Sequence, residues 1–279
     1  MRVMESCLES RLWQELQYLV GATYIYLDRQ GWLTELLAAF DMRLTAARKS
    51  NNRKDESWCL CTLGYTCWRR GELDKALAWY EQSLPAAYLA GYRPAEGATL
   101  TGIATIYHQQ GKYELALETY QQSLSICQEI GDREGESKII NNIGMTYRVQ
   151  GDNEQALSYY EQCLPIVKEI GDKIGAGTTL TNIAMIYRAQ GDHAKALEYH
   201  QQDLAICREL GDKAGEAVTC WNIGLTYEDI DNLTKAEEYI SRTVQIEEAI
   251  GSPNIVDSRD GLERVRAKRL AAQGPTGEK

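Results

Sequence analysis

Phenylalanine, histidine and proline are scarce in this sequence, which contains one, three and five of them among 279 residues. The aromatic content comes instead from 17 tyrosines and six tryptophans, whose side chains carry a polar group. Three histidines without a cluster of other metal-ligating side chains argue against a metalloenzyme. We therefore expect neither a metal nor a cofactor.

An excess of positive charge and long apolar runs are also lacking. The formal net charge is −10, and an acidic chain repels the phosphates of nucleic acid, so no nucleic-acid partner is expected. The longest apolar stretch, Leu19 to Leu27, is too short to span a bilayer. No secretory signal is visible, because charged residues such as Glu5, Glu9 and Glu15 interrupt the first twenty residues. These features predict a soluble cytoplasmic protein without membrane contact.

The eight cysteines fit that compartment as free thiols. Cys59, Cys61 and Cys67 are close enough in sequence to suggest a metal site. However, residues two apart on one helix point to opposite sides, which prevents Cys59 and Cys61 from chelating together. We interpret all three as buried thiols.

Motifs that carry catalysis are missing as well. The sequence has no Gly-x-Ser-x-Gly, no phosphate-binding Gly-x-x-x-x-Gly-Lys and no His-Glu-x-x-His. His193 and His200 have no nucleophile at a readable spacing, and paired carboxylates such as Glu237-Glu238 are typical of a solvated helix face. The chain is therefore predicted not to be an enzyme.

What the sequence does contain is a forty-residue period. One phase of it reads Gly71-Glu72, Gly111-Lys112, Gly151-Asp152, Gly191-Asp192 and Asp231-Asn232. Twenty residues later come Gly91, Gly131, Gly171, Gly211 and Gly251. A fixed period of this size indicates an array of small helical units that stack on their neighbours, and such arrays mostly bind other chains.

Each unit reads as a helical hairpin. In the unit from Gly97 to Ile130, the first helix has an apolar face at i, i+3, i+4 and i+7, formed by Leu100, Ile103, Ala104 and Tyr107. The second helix follows Gly111 and carries Leu115, Ala116, Tyr120 and Leu124 on its inner face. Gly131 then closes the unit as a predicted left-handed C-cap.

Small residues recur where the two helices should touch. The first helices carry Gly64, Ala104, Gly144, Ala184 and Gly224, and the second helices carry Ala76, Ala116, Ala156, Ala196 and Ala236. Tyrosines that cover each pair are Tyr107, Tyr147, Tyr187 and Tyr227 in the first helices and Tyr80, Tyr120 and Tyr160 in the second, with His200 and Ile240 in the last two units. Predicted helix N-caps are Asp132, Asp152, Asp172, Asp192 and Asp212.

The pattern Leu-x-x-Ile-Ala-x-x-Tyr, then glycine, then Ala-x-x-x-Tyr resembles the tetratricopeptide repeat. The forty-residue unit, with its joint from Gly131 to Glu136, is similar to repeats of kinesin light chains, spindle-polarity adaptors and bacterial tetratricopeptide regulators. The resemblance covers Ser57 to Gly251. It implies an all-α fold, a right-handed α-solenoid of stacked antiparallel helix hairpins.

Three parts of the chain follow from this pattern. Residues 1–56 are predicted to form N-terminal helices, as a degenerate first repeat or a cap, and residues 57–251 form five forty-residue units. Residues 252–279 comprise a helix from Asn254 to Ala272 and a frayed tail from Gln273 to Lys279. The helix is basic, and it reads either as a polar cap for the open end of the array or as a docking element.

A binding surface is predicted on the face of the first helices that points away from the hairpin core. In the resembled family this face lines a concave groove, and an asparagine there commonly holds a peptide backbone. We carry that role onto Asn142, Asn182 and Asn222. The alternatives are a residue simply copied with the repeats, or amides that hydrogen-bond between neighbouring repeats. Further candidate contacts on this face are Lys138, Arg148, Arg188, Met145, Met185 and Trp221.

Charge along this face is predicted to change from basic in the middle, with His108 contributing, to acidic at Glu228 and Asp229. The implied ligand is a protein or peptide segment with acidic and hydrophobic side chains. We expect a non-catalytic scaffold or adaptor, with two alternatives left open. One is a regulatory sensor whose ligand controls a separate enzyme, and the other is a subunit associated with a hydrolase. The sequence indicates no oligomeric state.

Overall fold

The computed structural model describes residues 1–9 and 12–272, which contain fourteen α-helices and no strand. The predicted all-α architecture of helical hairpins is confirmed. The predicted tail from Gln273 to Lys279 lies outside the described residues.

The helices fall into two compact units, Met1–Thr146 and Tyr147–Lys279, with the boundary among the residues of α8. The helices up to that boundary are α1 (Arg2–Glu9), α2 (Trp13–Arg29), α3 (Leu33–Lys49), α4 (Arg53–Arg69), α5 (Leu73–Leu89), α6 (Arg93–Gln109), α7 (Tyr113–Ile130) and α8 (Arg133–Gln150). The following helices are α9 (Asn153–Glu169), α10 (Lys173–Ala189), α11 (His193–Leu210), α12 (Lys213–Asp229), α13 (Leu233–Ile250) and α14 (Ile255–Ala272).

Consecutive helices pack as hairpins within each unit: α2 with α3, α4 with α5 and α6 with α7 in the first, α10 with α11 and α12 with α13 in the second. We call α4, α6, α8, α10 and α12 the A helices, and α5, α7, α9, α11 and α13 the B helices. The predicted close approach within a hairpin is present in both units. A Cβ on Gly64 would lie 2.6 Å from the ring of Tyr80, and a Cβ on Gly224 would lie 2.6 Å from Ile240. Glycine costs helix stability, but these two positions require it because a side chain would collide with the facing helix.

The joints between helices follow the predicted turn chemistry. Gly131 has φ +70° and closes α7, and Asp132 next accepts a hydrogen bond from the backbone N–H of Gly135 at 2.9 Å. Asp152, Asp172 and Asp192 cap their helices in the same way, as does Asp212. Where the glycine is replaced at position 231, Asp231 itself adopts φ +56°, a conformation that aspartate tolerates better than most residues.

The hairpin cores are filled as the pattern predicted. All five alanines of the B helices are fully buried, and so are the B-helix residues Tyr80, Tyr120, Tyr160, His200 and Ile240. The first unit has a further core at its N-terminal end, where Leu16, Leu36 and Phe40 pack with Leu60 of α4. Among the described residues, none of the helices is both long and apolar enough to cross a membrane.

Candidate functional site

The A helices of the second unit expose a mostly apolar surface around two asparagines. Asn182 on α10 and Asn222 on α12 occupy equivalent places and are both half-buried. Ile174 and Val218, with 73% and 53% of their surfaces exposed, lie on the same helical faces. Met185 is also exposed and Leu225 is half-buried. We use the term asparagine face for this surface of α10 and α12 and, separately within the first unit, for the surface around Asn142 on α8.

Neighbouring A helices are linked by contacts between residues 41 positions apart. In the second unit, Arg188 donates from Nε to Oδ2 of Asp229 at 2.5 Å and from Nη2 to Oδ1 at 3.2 Å. In the first, the Trp68 indole donates to Oε1 of Gln109 at 3.0 Å. These bonds place equivalent positions of adjacent A helices side by side.

The charges predicted to vary along this face are not free to bind a ligand, because the side chains that carry them are paired within the chain. Arg188 is neutralised by Asp229, and Glu228 accepts hydrogen bonds from Arg264 and Lys268 of α14 at 2.9 and 2.8 Å. These two cations hold the pKa of Glu228 below its usual value, with Arg264 contributing most. The sequence could not show these pairs because the partners are 36 to 41 residues apart.

Trp221, predicted as a ligand contact, lies against α14. Its ring touches Gly261 so closely that a Cβ there would overlap it, and it packs on the core cluster that includes Leu262 and Val265. The basic residues of α14 also pair with the chain itself: Arg266 and Arg269 bind Glu237, and Arg259 binds Glu248. Helix α14 therefore uses its positive charge to hold itself against the second unit.

The first unit has a cavity of about 650 Å³ on its A-helix side. Aromatic and polar side chains line it together, and the lining includes Tyr24, Trp58, Tyr65, Trp68, Tyr80, Gly102, Lys138 and Asn142. A cavity of this size with mostly apolar walls and a few polar groups is typical of a ligand site.

The depth of this cavity comes from a missing side chain. Gly102 stands on α6 where α8 has Asn142, and a Cβ at Gly102 would overlap the ring of Tyr80. The exposed Ala98 on the same face of α6 also has a small side chain. The half-buried aromatic residues of α2 and α4 therefore line the cavity together with the buried Tyr80 of α5.

The other residues of the first unit that were predicted to contact a ligand differ in their surroundings. Lys138 lines it and pairs with Glu134 one turn away at 2.5 Å, an exposed pair of small energetic weight. Met145 is half-buried. His108 lies 3.0 Å from the Thr146 hydroxyl, and burial lowers its pKa, which disfavours the charged ring and weakens the expectation of a basic middle.

Arg148 belongs to the second unit and points inward. Its Nε is buried without a hydrogen-bond partner in the described part of the chain, and its guanidinium is close enough to affect the fully buried Tyr160. Burial raises the pKa of Tyr160, and the Arg148 charge opposes that rise. Only part of Arg148 is thus available to a ligand.

The sequence interpretation missed one recurring contact, between tyrosines twelve residues apart. Tyr147 stacks on Tyr159, Tyr187 on Tyr199 and Tyr227 on Tyr239, with ring centroids 5.5 to 5.7 Å apart. Lys195 lies 4.7 Å above the centroid of the Tyr187 ring. The forty-residue spacing of Tyr159, Tyr199 and Tyr239 in the last three B helices was the available signal.

Three of the eight cysteines were weighed as metal ligands, and all eight are buried free thiols. Burial raises the pKa of Cys61 to about 11, so its thiol stays protonated. Within residues 1–9 and 12–272, no three histidine, cysteine, aspartate or glutamate side chains are grouped as metal ligands.

Helical hairpins with forty-residue spacing, small residues at the contact and exposed A-helix faces define a helical repeat protein. A family model described as tetratricopeptide repeat matches residues 96–169 and 175–249, and a second model of the same description matches residues 57–82. The chain belongs to the tetratricopeptide repeat family. A comparison with curated protein sequences finds no match.

Solved structures with this fold include BtubC (BKLC) from P. vanneervenii, with 22% identity, a TM-score of 0.70 and coverage of 78% of this chain and 92% of that one. A signal transduction ATPase with a tetratricopeptide repeat sensor from Pyrococcus horikoshii has 17% identity and a TM-score of 0.72, over 92% of this chain but 41% of that protein. A Rap protein in complex with competence and sporulation factor has 14% identity and a TM-score of 0.65, over 92% and 76% of the two chains. At these identities the likeness supports the fold alone.

Proposed function

We propose that this chain is a non-catalytic interaction scaffold that binds a segment of a partner protein on its asparagine face. The single observation that carries the proposal is that Asn142, Asn182 and Asn222 are all partly exposed at equivalent positions of three A helices. An amide both donates and accepts, which suits the backbone of an extended segment.

The segment is proposed to carry hydrophobic side chains. In the second unit, Ile174, Met185 and Val218 offer exposed apolar surface beside Asn182 and Asn222, and exposed apolar patches mark interaction sites. In the first unit, the aromatic cavity beside Asn142 offers room for a large side chain. The acidic character expected of the ligand has less support, because Lys138 and Arg188 both lie against carboxylates of the chain.

We place this binding in the cytoplasm, since all eight cysteines are free thiols, as is usual in a reducing compartment. A regulatory sensor is the second candidate function. It is favoured by the structural likeness to an ATPase whose repeats are described as a sensor. A sensor would change its solution dimensions when its ligand binds, which small-angle scattering measures, and unchanged scattering would count against it.

The scaffold proposal is tested with the triple variant Asn142→Ala, Asn182→Ala and Asn222→Ala. The wild type captures a partner from the native host, mass spectrometry identifies it, and the affinity is then measured with both purified proteins. We expect the triple variant to lose at least tenfold in affinity, about 1.4 kcal/mol, while its helical circular dichroism is retained.

A matched control is available on the B helices. Gln122, Gln162 and Gln202 lie forty residues apart and are all exposed on α7, α9 and α11. Changing these three amides to alanine should leave the affinity within twofold. Equal losses of affinity in both triple variants would show that binding is not specific to the asparagine face. An unchanged affinity in the asparagine variant would refute the proposed binding site.

A further inference from the structure

One buried carboxylate in the second unit interrupts a pattern that three other B helices share. At the matching place in the B helices, Ser83 donates to the carbonyl of Ser57, Ser123 to that of Gly97 and Thr243 to that of Ala217, each 26 residues earlier. Asp203 occupies this place on α11, and a carboxylate cannot donate that bond. Its side chain is nevertheless only 5% exposed.

The two oxygens of Asp203 have different surroundings. Oδ2 accepts hydrogen bonds from the hydroxyls of Thr181 and Thr219 at 2.8 and 2.6 Å. The donor recorded at Oδ1 is the Cys207 thiol at 3.7 Å, which is a weak one. Gly177 makes room for Oδ1, because a Cβ there would lie 2.5 Å from it. Asp203 forms no ion pair with a residue that the structure describes. A buried carboxylate oxygen with only a weak donor calls for an explanation, and a role in binding is one.

Asp203 lines a cavity of about 270 Å³ between α10, α11 and α12 that also reaches Asn182. The apolar part of the lining is formed by Ile174, Ile206, Leu210 and Val218, and a second carboxylate, Asp212, lies there as well. Lys173 is the one cation of the lining, and its ammonium binds Glu209 at 2.5 Å. The cavity is smaller than most sites for small molecules but accommodates one long side chain.

We propose that this cavity binds a lysine or arginine side chain of the bound segment, with its cationic group on Oδ1 of Asp203. The apolar lining would cover the alkyl stem, as is common for such side chains. The inference rests on the proposed function, because it adds a subsite to the same face, beside Asn182. It predicts a cation at one fixed position of a largely hydrophobic segment.

The test uses a phage-displayed library of random peptides, selected in parallel against the wild type and Asp203→Asn. We expect the wild type to enrich lysine or arginine at one fixed position and Asp203→Asn to lose that preference. A synthetic peptide from the selection is then measured by fluorescence anisotropy with its cationic residue intact or replaced by norleucine. The replacement should lower the affinity for the wild type at least tenfold, and for Asp203→Asn less than twofold.

Two controls make the outcomes distinct. Glu198→Gln removes one charge from an exposed place on the same helix and should select as the wild type does. Asp203→Thr restores the residue found at Thr243 and should melt no lower than the wild type, while it also loses the preference for a cation. A lower melting temperature would show that Asp203 serves the fold, against the proposal.

Selected peptides without a fixed cation, or the same cation selected by Asp203→Asn, would overturn this subsite and leave the scaffold proposal standing. If the wild type selects no peptide at all while it still captures its natural partner, the cation subsite falls and the scaffold stands. If neither binding is seen, both fall.

Discussion

Gly261 of α14 lies directly against the indole ring of Trp221 on α12, where no side chain would fit. The contact joins the last helix to the end of the second unit, next to the ion pairs that Arg264 and Lys268 make with Glu228. Trp221, which was predicted to contact a ligand, thus packs against α14.

The variant Gly261→Ala should therefore destabilise the protein. In an open helix this change gains up to about 1 kcal/mol, but here the added methyl group must displace Trp221, and we expect a net loss of about 1–3 kcal/mol in the free energy of unfolding. Urea unfolding measures it. The exposed residue Asp260 on the same helix provides the control, since Asp260→Ala should change stability by less than about 0.5 kcal/mol. A more stable Gly261→Ala would contradict the packing.

The aspartate caps predict a second pair of variants. Asp172 accepts from the N–H of Gly175 at 2.9 Å, and Asp172→Ala removes that acceptor. We expect a loss of about 1 kcal/mol in the free energy of unfolding, whereas Asp172→Asn should stay within a few tenths because asparagine caps equally well. Equal stabilities for the alanine and asparagine variants in urea unfolding would show that the cap has no weight.

His200 predicts a dependence of stability on pH. It is fully buried in the slot that tyrosine fills in three other repeats, and both ring nitrogens lack a hydrogen-bond partner in the described residues. Burial, with a smaller contribution from the Arg188 charge, lowers its pKa from 6.5 to about 4. The folded state therefore favours the neutral ring. The unfolded state therefore takes up the proton first, so the free energy of unfolding is highest above pH 6.5 and decreases as the pH falls from 6.5 toward 4.

Between pH 7.5 and pH 5 this group alone should remove about 2 kcal/mol from the free energy of unfolding. The variant His200→Ile, which copies the fully buried Ile240 of the next repeat, should lose less over the same range by about that amount. Urea unfolding at the two pH values gives the difference for each protein. The same pH dependence in both would show that His200 does not titrate in this way.

Much of the fold was readable from residues close in sequence. The forty-residue period, the aspartates that follow the glycines and the small residues opposite tyrosine are local signals, and the helices, caps and hairpin contacts agree with them. Gly64 against Tyr80 is an example of a contact predicted from the pattern.

The contacts of the candidate site were less predictable, because its residues meet across separate helices. Arg188 and Asp229 were placed on one face from helix geometry, but their pairing depends on how α10 and α12 lie side by side. The sequence shows that Asp203 stands where two other B helices have serine. It does not show that the Asp203 side chain is buried and accepts hydrogen bonds from Thr181 and Thr219. The depth of the aromatic cavity likewise required the position of the Tyr80 ring below Gly102.

That cavity gives a further prediction. Gly102→Asn gives α6 the asparagine that the later A helices have at this position, and the new side chain must displace the ring of Tyr80. We expect a loss of about 1–3 kcal/mol in the free energy of unfolding. The neighbouring exposed residue gives the control, since Ala98→Asn should cost less than about 1 kcal/mol, mainly through helix propensity. Similar losses for the two variants would argue against the close contact with Tyr80.

The central claim is that a partner segment binds on the A-helix side of the unit it contacts. Site-specific photocrosslinking tests it most directly, with a benzophenone amino acid placed at Ala98 or Val218 on that side and at Gln202 on the B helix α11, all of which are exposed. The account predicts that the captured partner crosslinks from Ala98 and Val218 and not from Gln202. Crosslinks from Gln202 alone would contradict it.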